Sequence, residues 1–179
     1  FDFKEVREYL PWLWIKVFSK VPVSNRDFLK KAALNSGDDN TYIELAWSYY
    51  NRGLFYAAEA AFKKAIEFNV NNDKAYFGLG RLYQFQGKKV DAEALFKKVI
   101  ALNPKADNAY YALGEIYSYR AFRNHGEDFG AEAVFKKAIV ANSKNDAAFM
   151  DLGLLWLRQG KFRQSEMVLK KAIDLNVGN

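Results

Sequence analysis

Among the side chains of this 179-residue chain that could do chemistry, lysines recur in pairs at similar intervals. The recurring pairs are Lys30-Lys31, Lys63-Lys64, Lys97-Lys98, Lys136-Lys137 and Lys170-Lys171. Aligned along a surface, such pairs would suit acidic protein, nucleic acid or anionic lipid. Arginine is absent from them and no aromatic residue interleaves, which argues against nucleic-acid recognition. Lysine in the last turns of a helix also suits the helix dipole, so the stripe reads as a solvated face. Cysteine is absent, which excludes disulfides and thiolate metal sites, and the single His125 cannot build a His-rich one. The carboxylates are scattered, no nucleophile and base can be assembled, and no glycine-rich phosphate loop is present. No enzyme activity, cofactor or metal is therefore expected of this segment.

Half of the residues are apolar, enough to bury a core, and a net charge of +6 selects no partner by itself. No run of about 18 uncharged apolar residues exists, so neither a membrane span nor a membrane partner is expected. The absence of cysteine is compatible with cytoplasm or periplasm and does not choose between them. The chain starts at Phe1 without a signal-peptide layout and is expected to be a piece of a longer protein.

The elements that position these residues come from a repeat. Tyr42-x2-Leu45-Ala46-x2-Tyr49 returns at Tyr76-x2-Leu79-Gly80-x2-Tyr83, at Tyr110-x2-Leu113-Gly114-x2-Tyr117 and at Phe149-x2-Leu152-Gly153-x2-Trp156. Each copy precedes a second pattern, first seen as Ala58-x3-Phe62-x2-Ala65 and last as Ser165-x3-Leu169-x2-Ala172. Tyr42, Tyr76 and Tyr110 stand 34 residues apart, and fixed-period self-similarity means stacked units. Both patterns place apolar residues on one helical face. Gly53, Gly87, Gly126 and Gly160 lie between the two helices, where glycine ends a helix readily. Asp39, Asp73, Asp107 and Asp146 open the units as expected N-caps, and Asn69, Asn103, Asn142 and Asn176 close them. Small residues at Ala46, Gly80, Gly114 and Gly153 let the paired helices approach closely.

These residues resemble the tetratricopeptide repeat, whose signature reads aromatic-x2-Leu-Gly-x2-Tyr…Ala-x3-Phe…Pro. The resemblance covers Asp39 to Asn179; the terminal proline is kept only at Pro104, and Ser165 and Leu169 replace Ala and Phe in the last unit. It implies an all-α, right-handed α-solenoid of stacked helix-turn-helix repeats at 39–72, 73–106, 107–145 and 146–179. The third unit carries a five-residue insertion, read as a longer first helix and a wider turn. Residues 1–38 are expected to form an N-terminal helical cap with a degenerate half-repeat, the apolar Trp12–Phe18 stretch covering the first unit; a junction with a preceding domain and, after it, an interfacial membrane anchor are the alternatives for that stretch.

The resemblance further implies a partner-facing groove on the first helix of each unit. Its candidate residues are Ile43, Trp47 and Tyr50, then Phe77 and Arg81, then Tyr111 and Glu115, then Met150 and Leu154. Aromatic and aliphatic side chains with few charges have the composition of a binding hot spot, so the expected ligand is an extended or helical protein segment with apolar anchors. The charged tail-clamp and asparagine-ladder arrangements of the family are both missing. The competing expectation is that these side chains pack on their neighbours or on Trp12–Phe18 folded back. Two other roles stay open: a non-catalytic array of a larger enzyme such as a transferase, which positions the enzyme or its substrate, and a homo-oligomer formed through the C-terminal face.

Overall fold

A computed structural model describes residues 38–123 and 130–177. They form eight α-helices and no strand: α1 (Asp39–Asn51), α2 (Phe55–Phe68), α3 (Asp73–Phe85), α4 (Lys89–Leu102), α5 (Asp107–Arg123), α6 (Ala131–Ala141), α7 (Asp146–Arg158) and α8 (Phe162–Val177). None of them is long and apolar enough to cross a membrane. The chain divides into two compact units at Leu82 and Tyr83, inside α3. The expected cap, with Trp12–Phe18, lies outside the described residues.

In the first unit α1 and α2 form a hairpin whose core is Leu45, Ala46, Ala58, Phe62 and Ala65, all buried. Phe62 is fully enclosed, and α3 reaches it only because residue 78 is glycine: a Cβ there would collide with the phenyl ring. Tyr42 stacks on Phe68 at the outer end of the hairpin, with ring centroids 5.2 Å apart and planes at 22°.

The second unit repeats this logic. Phe96 and Phe135 are fully buried, α5 pairs with α6, and α7 packs on both α6 and α8. A Cβ on Gly114 would stand 2.5 Å from the Phe135 ring, so the short distance between α5 and α6 depends on that hydrogen. In the last pair Leu169 faces Gly153 instead of a phenylalanine. Ser165, which replaces the alanine of the other units, is buried, and its hydroxyl donates to the Gly153 carbonyl at 2.7 Å. Its buried oxygen is therefore satisfied.

One expectation is corrected. The opening aspartates are not the N-caps. Asp38 caps α1 by accepting from the Thr41 N–H at 2.8 Å, Asn72 accepts from the Ala75 N–H at 3.1 Å, and Asn145 caps α7 by accepting from Ala148 at 2.9 Å. Asp39, Asp107 and Asp146 instead receive amide protons from asparagines about one repeat later. Asp39 accepts from Asn69 and Asn72, each at 2.7 Å; Asp107 accepts from Asn142 at 3.0 Å and Asn145 at 2.9 Å; Asp146 accepts from Asn176 at 3.0 Å. Each such clasp ties the start of one hairpin to its end.

The third turn carries a glycine that the repeat pattern does not mark. Gly53, Gly87 and Gly160 turn with φ of 72°, 78° and 74°, but the left-handed residue ahead of α6 is Gly130, with φ of 85°. Gly126 lies outside the described residues. The insertion does lengthen the first helix of its unit: α5 has 17 residues where α1, α3 and α7 have 13.

Gly114→Ala tests the helix contact. The overpacking cost of about 1–3 kcal/mol exceeds the gain of up to about 1 kcal/mol in helix propensity. The urea midpoint is expected to fall; an unchanged or raised midpoint contradicts the packing.

Candidate functional site

The helix positions expected to face a partner behave differently in the two units. In the first, Ile43 is buried, at 7% exposure, and cannot serve as an exposed anchor; this overturns its expected place on an open face. Ile43 lies one turn before Trp47 on the same helix, where side chains four residues apart are neighbours. Trp47 meets Phe62 edge-on at 5.3 Å and 85°, and meets Tyr50 at 5.4 Å and 79°. Tyr50 in turn meets Phe55 at 5.9 Å. These edge-to-face contacts are the arrangement aromatic quadrupoles favour. Trp47 and Tyr50 therefore contribute to the fold of the first unit. Phe77 and Arg81 on α3 are half-buried.

In the second unit Tyr111 is half-buried and lies 6.1 Å from Phe135, packed against the cluster of Phe135, Leu152 and Leu155. Met150, Leu154 and Leu157 are open, at 46%, 38% and 46% exposure. They sit at i, i+4 and i+7 of α7 and form one apolar row outside that cluster. Beside this row, α5 and α7 enclose a cavity of about 300 Å³ whose lining includes Glu115, Ser118, Phe122, Asp151, Leu154 and Arg158.

The charges of this cavity are arranged rather than dispersed. Gln84 donates to the Glu115 carboxylate at 3.2 Å. Burial pushes the Asp151 carboxyl above its ordinary range; a hydrogen bond from Tyr111 works against that shift, the Glu115 charge adds to it, and Arg158 opposes it. The Arg158 guanidinium stands 5.8 Å from the Phe122 ring centroid. The site thus offers two acceptor carboxylates, one of them uncomfortable as an anion, between aliphatic and aromatic walls.

Asp151, Arg158 and Phe122 are not among the residues expected from the sequence, although their spacing carried the signal. Asp151, Leu154 and Arg158 stand at i, i+3 and i+7 of α7, and Glu115, Ser118 and Phe122 at i, i+3 and i+7 of the lengthened α5. Only the extra helical turn from the insertion brings Phe122 to this face.

The lysine stripe is largely self-neutralised. In four of the pairs the first lysine meets a glutamate four residues earlier: Lys63 with Glu59, Lys97 with Glu93, Lys136 with Glu132 and Lys170 with Glu166, each at 2.7 Å. Glu93 also takes Arg120 and Tyr117, and Glu132 takes Lys161 at 2.9 Å. Hydrogen bonds from Lys136 and then Lys161 hold the Glu132 carboxyl down to about 2. Among the described residues no group of His, Asp and Glu is placed to hold a metal ion.

Comparison with known proteins agrees with this geometry. The tetratricopeptide repeat family profile matches residues 55–116. A solved structure of MamA is 25% identical, with a TM-score of 0.70 over 86% of this chain and 86% of that one. TTC0263, a thermophilic TPR protein of Thermus thermophilus, is also 25% identical, with a TM-score of 0.63 over 76% of this chain and 74% of its own. Pseudomonas aeruginosa PilF, 22% identical, shares the fold with a TM-score of 0.67 over 79% of this chain and 62% of its own. No curated protein sequence matches the chain significantly.

Two measurements follow from the site. Trp47→Ala is expected to lower stability by about 2 kcal/mol, because its ring packs on Phe62; a variant of unchanged stability would return Trp47 to the set of open anchors. The carboxylates give opposite pH responses. A native pKa held at about 2 against 4.5 makes Glu132 contribute stability above pH 4.5 that is lost as pH falls toward 2. Asp151 keeps its proton to higher pH in the native state than in the unfolded chain, so its contribution is lost as pH rises through its native pKa. Urea midpoints against pH should therefore show a flatter acid limb for Glu132→Gln and a more stable protein at pH 7 for Asp151→Asn. Destabilisation by Asp151→Asn at pH 7 would contradict the assignment.

Proposed function

We propose that this chain, a tetratricopeptide-repeat protein, serves as an interaction scaffold that holds an extended or helical segment of a partner protein against α5 and α7. The observation that carries this reading is the row of Met150, Leu154 and Leu157, exposed beside a cavity walled by Glu115 and Asp151. Apolar side chains at helical spacing are the natural complement of an amphipathic segment laid into a groove. Covering an aliphatic side chain that is half exposed contributes on the order of 1 kcal/mol, so three of them supply a useful core of binding energy. The two carboxylates select what lies next to that core: a lysine or arginine of the partner, which restores to Asp151 the solvation lost on burial.

Compared with the sequence expectation, this moves the anchors toward the last unit. Tyr111, Glu115, Met150 and Leu154 remain in the proposed surface, Asp151 and Leu157 join it, and Ile43, Trp47 and Tyr50 are assigned to the fold of the first unit. The role is one of holding, with no chemical step.

Panning a random peptide library on the wild-type protein, with counter-selection on a Leu154→Glu variant, tests the reading. Selected peptides are expected to carry two or three apolar residues at helical or extended spacing beside a lysine or arginine. They should bind Leu154→Glu at least about tenfold more weakly. Peptides that bind both proteins equally would place the surface elsewhere.

A further inference from the structure

The four hairpins differ at one place that no part of the groove uses. The residue just before the closing asparagine is Phe68, Leu102, Ala141 and Leu175 in turn. In the first unit that residue covers the leading tyrosine: Phe68 stacks on Tyr42, which is left only 8% exposed. In the third unit the tyrosine is Tyr110, and its partner position holds Ala141, a side chain too short to cover a ring. A cavity of about 600 Å³ opens there, lined by Tyr110, Ala141, Pro104 and Val140 together with lysines. Val140, at 86% exposure, forms an apolar rim.

The charge around this cavity is of one sign. Lys105, Lys136 and Lys137 all line it, and no carboxylate among the described residues does. The nearby acids are engaged elsewhere: Glu132 holds Lys136 and Lys161, and Asp107 receives the amides of Asn142 and Asn145. Lys136 is thus partly neutralised, while Lys137 stands 6.0 Å from the Tyr110 ring centroid. The site combines the half-buried Tyr110 ring with two cations: Lys137, whose ammonium lies over that ring and can swing aside on its flexible stem, and Lys105 beside it.

We infer that this cavity is a docking pocket for an aromatic side chain of a partner protein, flanked in the partner's sequence by acidic residues. The incoming ring takes the place beside Tyr110 that Phe68 holds beside Tyr42, and the neighbouring carboxylates meet Lys105 and Lys137. The internal stack in the first unit supplies the geometry, since the same backbone there already accommodates a phenyl ring in contact with a tyrosine. Charge complementarity supplies the flanking residues, because a partner lacking acids leaves the lysines unanswered. This pocket is built from α6, the first turn of α5 and the turn ahead of it, and it is separate from the row on α7.

Peptide titrations of the whole chain, followed by NMR at the Tyr110 ring and the Val140 methyls, test the inference. Acetyl-Glu-Phe-Glu-amide is expected to shift both sets of resonances saturably. Acetyl-Glu-Ala-Glu-amide and acetyl-Lys-Phe-Lys-amide should each bind at least about fivefold more weakly. Ala141→Phe should fill the pocket from within, keep the fold as Phe68 does in the first unit, and abolish the shifts. Lys137→Gln, at a solvent-facing position, should weaken binding while leaving the fold intact. The inference is overturned if no saturable shift occurs, if a folded Ala141→Phe protein still binds, or if Lys137→Gln binds as the wild type does. Equal binding of the lysine peptide, or tighter binding of adenosine monophosphate at the same resonances, overturns it as well.

Discussion

Phe135 presses on the Gly114 backbone so closely that one additional carbon would collide with it, and the paired helices take their separation from that contact. Phe62 stands in the same relation to Gly78 on the following helix. A large ring against a bare backbone gives a short interaxial distance and a well-filled interface at once, which few other residue pairs achieve. Once the helices are that close, the remaining positions on each have little choice. Alanines line the seam, the tyrosines fill its flanks, and what is left over on the first helix of each pair faces outward.

The way those leftover positions are used distinguishes the two units. In the first, rings from Trp47 and Tyr50 lean on the core, so the outward face is largely covered by its own side chains. In the second, α7 presents exposed aliphatic side chains outside the Phe135 cluster, and α5 presents carboxylates. The same scaffold thus yields a self-packed surface and a receptive one from small changes of residue at equivalent places. The ion pairs on the second helices play no part in this distinction. Glu–Lys pairs four residues apart on a helix add little to stability where solvent screens them, and their effect is to divide a row of positive charge into local dipoles.

Much of the architecture was legible because the packing of stacked helical hairpins leaves a periodic trace. Tyr42, Leu45 and Ala46, with Ala58, Phe62 and Ala65, announce two helices and their facing sides without reference to anything distant. The roles of Asp39 and Asp107 were not legible, because a carboxylate at a helix start satisfies the capping pattern equally well when it bonds to a side chain 30 or 35 residues away. The exposure of Ile43 was also misread, since the same place in α7 holds Met150 in the open. Burial at an outward position depends on the neighbouring rings, which a repeat signature does not encode. Asp151 was overlooked for a related reason: its raised pKa comes first from its own burial and then from the Glu115 charge, which lies on another helix.

The aspartate–asparagine clasps have a chemical side. Each depends on a neutral amide donating to a carboxylate, at Asn69 and Asn72 to Asp39 and at Asn142 and Asn145 to Asp107. Asparagine is among the thermolabile residues, and its slow hydrolysis to aspartate would turn the donor into a second anion at hydrogen-bonding distance. Two carboxylates so placed repel, and one must take up a proton or move away. Loss of one clasp amide would thus exchange an attraction between the two ends of a hairpin for a repulsion.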